Sequence, residues 1–283
     1  MTVDRKCEVC GGAYGPAQIR GLLQCGGCGF VTADVSLSRE ELERLYSKSY
    51  FQGEEYRDYV AERGLFAKQF RLRLTTLLRY LPAEHRKFLF EIGAAYGFFL
   101  DLAKPRFDRV SGIDLSRDAA VYAREVVGVP VTAGDFLEYP LVCPADAICM
   151  WDTIEHLAQP ALYIEKIAAA LRPGGLLAIT TGDIGSPLAR WRKDKWRQIH
   201  PPSHLHYFSK ASLGLLLENH GFELCYSGYA GCYRSVDTIA YILLSLKHGM
   251  PGLYRALKAT RLLNWSFYSN FYDIVYVIAR KRR

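Results

Sequence analysis

Apolar and polar positions change their rhythm several times along the chain. Between residues 59 and 81, Phe66, Phe70, Leu74, Leu77, Leu78 and Leu81 recur at helical spacing, and Pro82 closes the run. Beyond it the pattern alternates. Short, nearly continuous apolar runs at Lys87–Ile92, Arg109–Ile113, Val129–Ala133, Ala145–Met150 and Leu176–Thr181 read as strands. Between and after them, Tyr96–Ala103, Ser116–Val127, Pro160–Leu171 and Lys210–His220 read as helices. Phe222–Tyr229 and Asp273–Ala279 are predicted as the last two strands, joined through a helical, aromatic-rich segment at 232–270. Strands alternating with helices predict an α/β fold with a doubly wound, mostly parallel sheet.

Upstream of this region the pattern is different. Residues 1–33 hold few large apolar side chains but two CxxC pairs, Cys7/Cys10 and Cys25/Cys28, separated by 14 residues. Glycines follow or fill each pair. Four thiolates on two tight turns suit a tetrahedral Zn²⁺, and with all four positions taken by Cys the expected role is structural. Metal binding would then drive folding of this segment. Ser38 with acids after it predicts a helix start at 38–47, followed by a connector rich in aromatics (Tyr46, Tyr50, Phe51, Tyr56, Tyr59). The expected domains are a zinc ribbon at 1–35, a helical and aromatic connector at 36–84, and a core at 85–283 with an insertion at about 232–270.

Composition narrows the function classes. The 283 residues are 50% apolar and 23% charged, which supports a packed core and excludes a disordered or fibrous chain. No apolar run reaches the roughly 20 residues of a membrane-spanning helix, and residues 1–10 are polar. A cytoplasmic protein in a reducing compartment is expected, where clustered Cys favour metal over disulfide. The net charge of +7 is concentrated in two stretches, 190–197 (+4) and 251–283 (+6). It is therefore weak evidence for a nucleic-acid partner and better evidence for a compact anionic ligand.

Five motifs carry the candidate chemistry: Glu91-Ile92-Gly93-Ala94-Ala95-Tyr96-Gly97 after the first core strand, Gly112-Ile113-Asp114-Leu115 after the second, Gly134-Asp135-Phe136 after the third, Trp151-Asp152-Thr153-Ile154-Glu155-His156 after the fourth, and Leu171-Arg172-Pro173-Gly174-Gly175 before the fifth. Glycines at a strand-to-helix turn admit a ligand to the backbone, and an acidic residue about 20 positions on can take ribose hydroxyls. In this order the motifs resemble the class I S-adenosylmethionine-dependent methyltransferases, over roughly residues 85–230. The family's turn usually reads E/D-x-G-x-G-x-G, and here Ala95 replaces the middle Gly. The resemblance implies a seven-stranded Rossmann-like sheet. It implies that Glu91 organises the turn, that Gly93, Ala95 and Gly97 face the methionine moiety, and that Asp114 with Leu115 meets the ribose. Asp135 and Phe136 are expected at the adenine, with Trp151 and Ile154 along the cofactor. A narrower group joins a cysteine-rich N-terminus and a tyrosine-bearing connector to this core and methylates sugars or other small metabolites. Its connector implies a cofactor contact from Tyr50.

For the methyl acceptor, histidine is the natural proton-handling side chain near neutral pH. The segment Ser203-His204-Leu205-His206-Tyr207-Phe208-Ser209 resembles a family stretch usually reading E-H-x-x-x-F-S, in which the His faces substrate. That makes His204 the first candidate base and His156 the second. Ser203 stands where Glu is common, which favours O- over C-methylation. His200, His206 and Tyr207 are further candidate substrate contacts. So are Arg190, Arg192 and Trp196 of the basic run, which suit a phosphate or diphosphate and a base. The expected activity is S-adenosylmethionine-dependent methylation of a hydroxyl on a sugar or nucleotide-sugar, in polysaccharide or natural-product biosynthesis. Alternatives are an RNA methyltransferase docking through the ribbon, a sugar C-methyltransferase, and a non-enzymatic cofactor-binding subunit. Peripheral membrane contact or oligomerisation is left open, centred on 232–270.

Overall fold

A computed structural model of the chain describes residues 5–35, 41 and 60–282. The expected helix at 38–47 and the connector tyrosines, Tyr50 included, lie outside the described residues, apart from Glu41.

The sheet is built around two strands without a polar face. β4 (Phe88–Ile92) and β7 (Ala145–Trp151) are buried at every position, as expected of parallel strands covered on both sides. They sit at the middle of a seven-stranded sheet whose other members are β5 (Arg109–Asp114), β6 (Val131–Ala133), β8 (Leu171–Gly182), β10 (Phe222–Tyr229) and β13 (Ile274–Lys281). The order is β10-β13-β8-β7-β4-β5-β6. The β4–β5, β4–β7, β5–β6 and β7–β8 pairs are parallel, and β13 runs antiparallel to both its neighbours. This is the Rossmann-like methyltransferase sheet that the motif order implies.

Alternate residues of each strand point to opposite layers. Leu89 of β4 and Ala147 and Cys149 of β7 meet α1 (Arg63–Tyr80), α2 (Phe98–Ala103) and α3 (Arg117–Tyr122) through Phe70, Leu74, Leu77, Phe99 and Ala119. Phe90, Ile92, Ile148 and Met150 meet α4 (Pro160–Ala170) and α6 (Lys210–Asn219) through Ile164, Ile167, Leu213 and Leu217. Ser209 caps α6 in a reciprocal box with Ser212.

Two features depart from the expected pattern. The 232–270 excursion is not helical throughout. It opens and closes with a two-stranded antiparallel pair, β11 (Cys232–Ser235) and β12 (Ser266–Ser269), around α7 (Val236–Ala240) and α8 (Pro251–Ala259). Four-residue strands show too few alternations to be read as a period. The excursion is tied to α1 by bonds from Lys68 to Ser266 and from Thr238 to Glu62. The second departure is in the N-terminal region. β1 (Tyr14–Pro16), β2 (Leu22–Cys25) and β3 (Val31–Ala33) form a meander, and β3 continues outward to pair with β9 (His206–Tyr207) from the distant histidine loop. The ribbon is thus a four-stranded sheet whose last strand comes from the core. Its Cys7, Val9, Cys25 and Phe30 join the layer beneath α4 and α6.

The turn after β4 alternates left-handed residues: Gly93 at φ 73°, Ala95 at φ 44° and Gly97 at φ 75°. Backbone N–H groups of Gly93 and Ala94 both donate to the Ile113 carbonyl, which pins the turn to β5. An L-residue in this region costs roughly 1–2 kcal/mol, so Ala95 is strained where the family's usual Gly is not. Replacing it should relieve that strain and return part of the gain as unfolded-chain entropy. Ala95→Gly is expected to stabilise the chain by about 0.5–1 kcal/mol, read as a higher urea midpoint with an unchanged slope.

Candidate functional site

Strand order reverses between β4 and β7, and in a doubly wound sheet the crevice beyond the carboxyl ends of such strands is where ligands bind. The glycine turn forms one wall. A Cβ on Gly93 would lie 2.5 Å from Thr153 Oγ1, and one on Gly97 would lie 2.4 Å from Val129 Cγ2. Neither position accepts a side chain. At the end of β5, Asp114 accepts from the Ala95 N–H (2.7 Å, Oδ2) and the Ser116 N–H (2.8 Å, Oδ1). Burial raises its pKa, and these two donors oppose the rise. Each carboxylate oxygen retains a further lone pair, the requirement for taking a ribose diol. Leu115, beside it, is 36% exposed. After β6, Asp135 is half-buried and its Oδ1 accepts from the Leu137 N–H (2.8 Å) and Tyr163 Oη (2.5 Å). This donor and acceptor set fits an adenosyl cofactor.

Several expected contacts are placed differently. Phe136 is 1% exposed and packs against Phe90 and Tyr163, so its ring belongs to the core rather than flanking a bound base. Trp151 lies edge-on to Phe99 and Tyr276, and Ile154 is fully buried. Both support the crevice floor from below. Glu91 is buried within β4, with its pKa pushed well up by burial and by Asp114. Sequence reasoning missed Arg73. This α1 guanidinium is 8% exposed, pairs with Asp152 at 2.8 Å and lies over the Trp151 ring. Asp152 also accepts from Thr180 Oγ1 (3.0 Å). An Arg in an amphipathic helix carries no sequence sign that it will bridge to a strand end 79 residues away.

Three histidines cluster after β7. His156 ends a single 3₁₀ turn, Ile154–His156, directly after the β7 motif. The histidine loop is fastened to that turn where the Leu205 N–H donates to the Glu155 carbonyl (2.9 Å). His204 and His156 stand edge to face at 4.6 Å, and His200 lies 4.1 Å from His204. Nδ1 of His204 donates to the Gln198 carbonyl (2.9 Å), and Nδ1 of His156 donates to the Ser203 carbonyl (2.7 Å). In both rings Nε2 is therefore the unprotonated nitrogen. Burial pulls His204 down to about 2 and His156 down to about 4. Glu155, 3% exposed, is pushed up to about 8 by burial and by Asp152. Ligand atoms of Glu155, His156 and His204 all lie within 4.8 Å of one another.

The other predicted substrate residues divide. His206 and Tyr207 are 1% and 2% exposed beneath the ribbon. The His206 ring stacks on Phe30, and its Nδ1 donates to Thr32 Oγ1 (3.1 Å). His206 faces Phe30 and Thr32, whereas Tyr207 packs on Leu22, Val31 and Ala33 and donates from Oη to the His204 carbonyl (3.1 Å). Trp196 is buried and donates to Asp273 (2.9 Å), and Arg197 pairs with the same carboxylate (3.0 Å). That half of the basic run anchors β13. Arg190 and Arg192 remain exposed on α5 (Pro187–Arg192), after β8, with Trp191 between them 73% exposed.

The four ribbon cysteines converge. Cys7 and Cys28 Sγ atoms are 3.5 Å apart, and Cys10 and Cys25 3.4 Å apart. A Zn–S bond near 2.3 Å implies tetrahedral S···S edges of about 3.8 Å, so the thiols stand close to the geometry a zinc ion would require. A Cβ on Gly12 would approach Cys25 Sγ to 3.1 Å, which explains a glycine beside the knuckle.

Comparison with known proteins agrees with this geometry. Residues 59–227 match the family described as a methyltransferase domain. A Mycolicibacterium smegmatis protein described as a "probable S-adenosylmethionine-dependent methyltransferase" is 27% identical over 136 residues, covering 47% of this chain and 51% of that protein. The chain thus matches about half the length of this relative. Among solved structures, a chain from the complex between the Haloferax volcanii Trm112 methyltransferase activator and a methyltransferase superposes with a TM-score of 0.57 at 16% identity, covering 87% of this chain and 100% of that one. The Bacillus subtilis YcgJ protein gives 0.55 at 13% identity, covering 76% and 99%. Both likenesses concern the fold. With the sheet order, the glycine turn and the family match over most of the core in agreement, the chain belongs to the methyltransferase-domain family, whose members are transferases built on this Rossmann-like sheet.

Proposed function

We propose that this chain transfers a methyl group from S-adenosylmethionine to a hydroxyl of a small polar molecule, a sugar or nucleotide-sugar. The observation that carries this reading is the pairing of His156 and His204, each with an unprotonated Nε2, on and against the turn that follows Thr153, whose side chain borders the glycine turn. The cofactor, when bound, supplies an activated methyl on a sulfonium, so the protein's tasks are alignment and removal of the acceptor's proton. The glycine turn, Asp114 and Asp135 orient the cofactor. The Arg73–Asp152 pair braces the β7 end of the crevice. His204 and His156 meet the acceptor oxygen, with His200 beside them. Arg190 and Arg192 on the exposed face of α5 suit a phosphate-bearing acceptor, and Trp191 takes the stacking role first assigned to Trp196. The ribbon holds one structural zinc through Cys7, Cys10, Cys25 and Cys28 and supports the acceptor loop through β3 and β9.

Gly93→Ala forces a Cβ into Thr153 and is expected to weaken S-adenosylhomocysteine binding at least tenfold in calorimetry while leaving the far-UV spectrum intact. His204→Ala should retain that binding and lose about 10²-fold or more in turnover with a pooled panel of nucleotide-sugars, followed as labelled-methyl transfer by mass spectrometry. Full activity in this variant would remove His204 from the mechanism. Cys25→Ser should release one zinc per chain by elemental analysis and lower the melting temperature.

A further inference from the structure

Glu155, His156 and His204 have a geometry that proton transfer alone does not require. Two come from the 3₁₀ turn after β7 and one from the histidine loop, 48 residues past His156, yet one ligand atom from each falls within a 4.8 Å group. Both imidazoles are held by Nδ1–H bonds to backbone carbonyls, His156 by Ser203 and His204 by Gln198. That outer bond is the one that orients a metal-ligating histidine and leaves Nε2 as donor atom. The third member is a carboxylate whose chain is 3% exposed and whose Oε2 has no hydrogen-bond partner among the described residues. A buried carboxyl oxygen without a hydrogen-bond partner carries a desolvation cost in either protonation state, which a bound cation would offset. The Arg73 guanidinium, whose charge is felt at Glu155, is paired with Asp152. His156 is only partly buried, so the group is not sealed from solvent on every side.

The geometry points to a divalent transition-metal site formed by Glu155 Oε2, His156 Nε2 and His204 Nε2, with its remaining coordination position open to the acceptor hydroxyl. Two imidazoles and one carboxylate with an open position form the donor set of catalytic zinc and related ions. The ion would act as a Lewis acid, lowering the pKa of the bound hydroxyl so that its proton leaves to solvent water. The oxygen lone pair then forms the new C–O bond. The S–CH₃ bond breaks with its electrons going to sulfur, leaving neutral S-adenosylhomocysteine. The site selects for acceptors presenting an oxygen able to bind the ion; this rests on the O-methylation reading above and replaces direct proton removal by His204 and His156 with their service as ligands.

The test is metal stoichiometry on the full chain. Wild type, Cys25→Ser, Glu155→Gln and the His156→Ala/His204→Ala double variant are loaded with excess Zn²⁺, freed of unbound ion by gel filtration and measured by elemental analysis. S-Adenosylhomocysteine affinity on the same samples reports whether each variant is folded. Two zinc per wild-type chain are expected, with Cys25→Ser and each crevice variant losing one. A wild-type chain holding one zinc, lost in Cys25→Ser, overturns the crevice site whatever the other variants do. So does a folded Glu155→Gln or double variant that keeps both. A zinc count of one with intact S-adenosylhomocysteine binding refutes only the cation site. Failure to bind S-adenosylhomocysteine refutes the methyltransferase reading, whatever the metal count.

Discussion

The two-residue ladder between β3 and β9 ties the cysteine ribbon to the histidine loop of the core. Thr32 opposes His206 and Val31 opposes Tyr207, while the Ala33 N–H and Thr32 hydroxyl both donate to the Leu205 carbonyl. Leu205 in turn donates to Glu155. A continuous chain of backbone bonds therefore runs from the cysteine ribbon, through the residue next to His204, to the turn that ends in His156. Each bond contributes only about 1 kcal/mol net, but the strands are buried, so breaking one end strands polar groups away from water. The Phe30 ring, packed on His206 and Phe208, seals the ladder.

The ribbon is linked by this arrangement to the histidine group through β3 and β9. Its cysteines stand close to tetrahedral spacing, and the sheet they stabilise ends in the strand that follows His204. The Cys cluster and the histidine group are thus mechanically in series. On the opposite face, α1 reaches the same crevice through Arg73, whose ion pair with Asp152 and contact with Trp151 close the β7 side. The sheet supplies a rigid floor, and the ribbon and α1 shape the two ends.

Much of the core was legible because parallel strands and their helices carry strong local signals. The apolar runs at 87–92 and 145–150, the helical spacing of 66–81 and the Ser209 cap all appear where the periodicity places them. The glycine turn and Asp114 were legible because their residue types answer a backbone requirement: left-handed φ at 93 and 97, and a carboxylate for the N–H groups of Ala95 and Ser116. The same local reading does not show the core packing of Phe136, Trp196 and His206. Each is a residue type equally suited to a ligand and to a core, and only the layer packed against it decides between the two.

By itself, the sequence determined the strand and helix alternation, the convergence of two CxxC pairs and the left-handed glycine turn after β4, because these depend on periodicity and on spacing within a turn. The tertiary structure alone decided which histidines share the crevice. His204 and His206 are two residues apart, and backbone alternation sends neighbours of that spacing the same way only within a regular strand. Here β9 begins at His206. His206 is drawn under the ribbon by Thr32 and Phe30, while His204, before the strand, is turned by the Gln198 carbonyl toward His156 and Glu155. That separation is set by a ribbon strand more than 170 residues away, a contact no local pattern encodes.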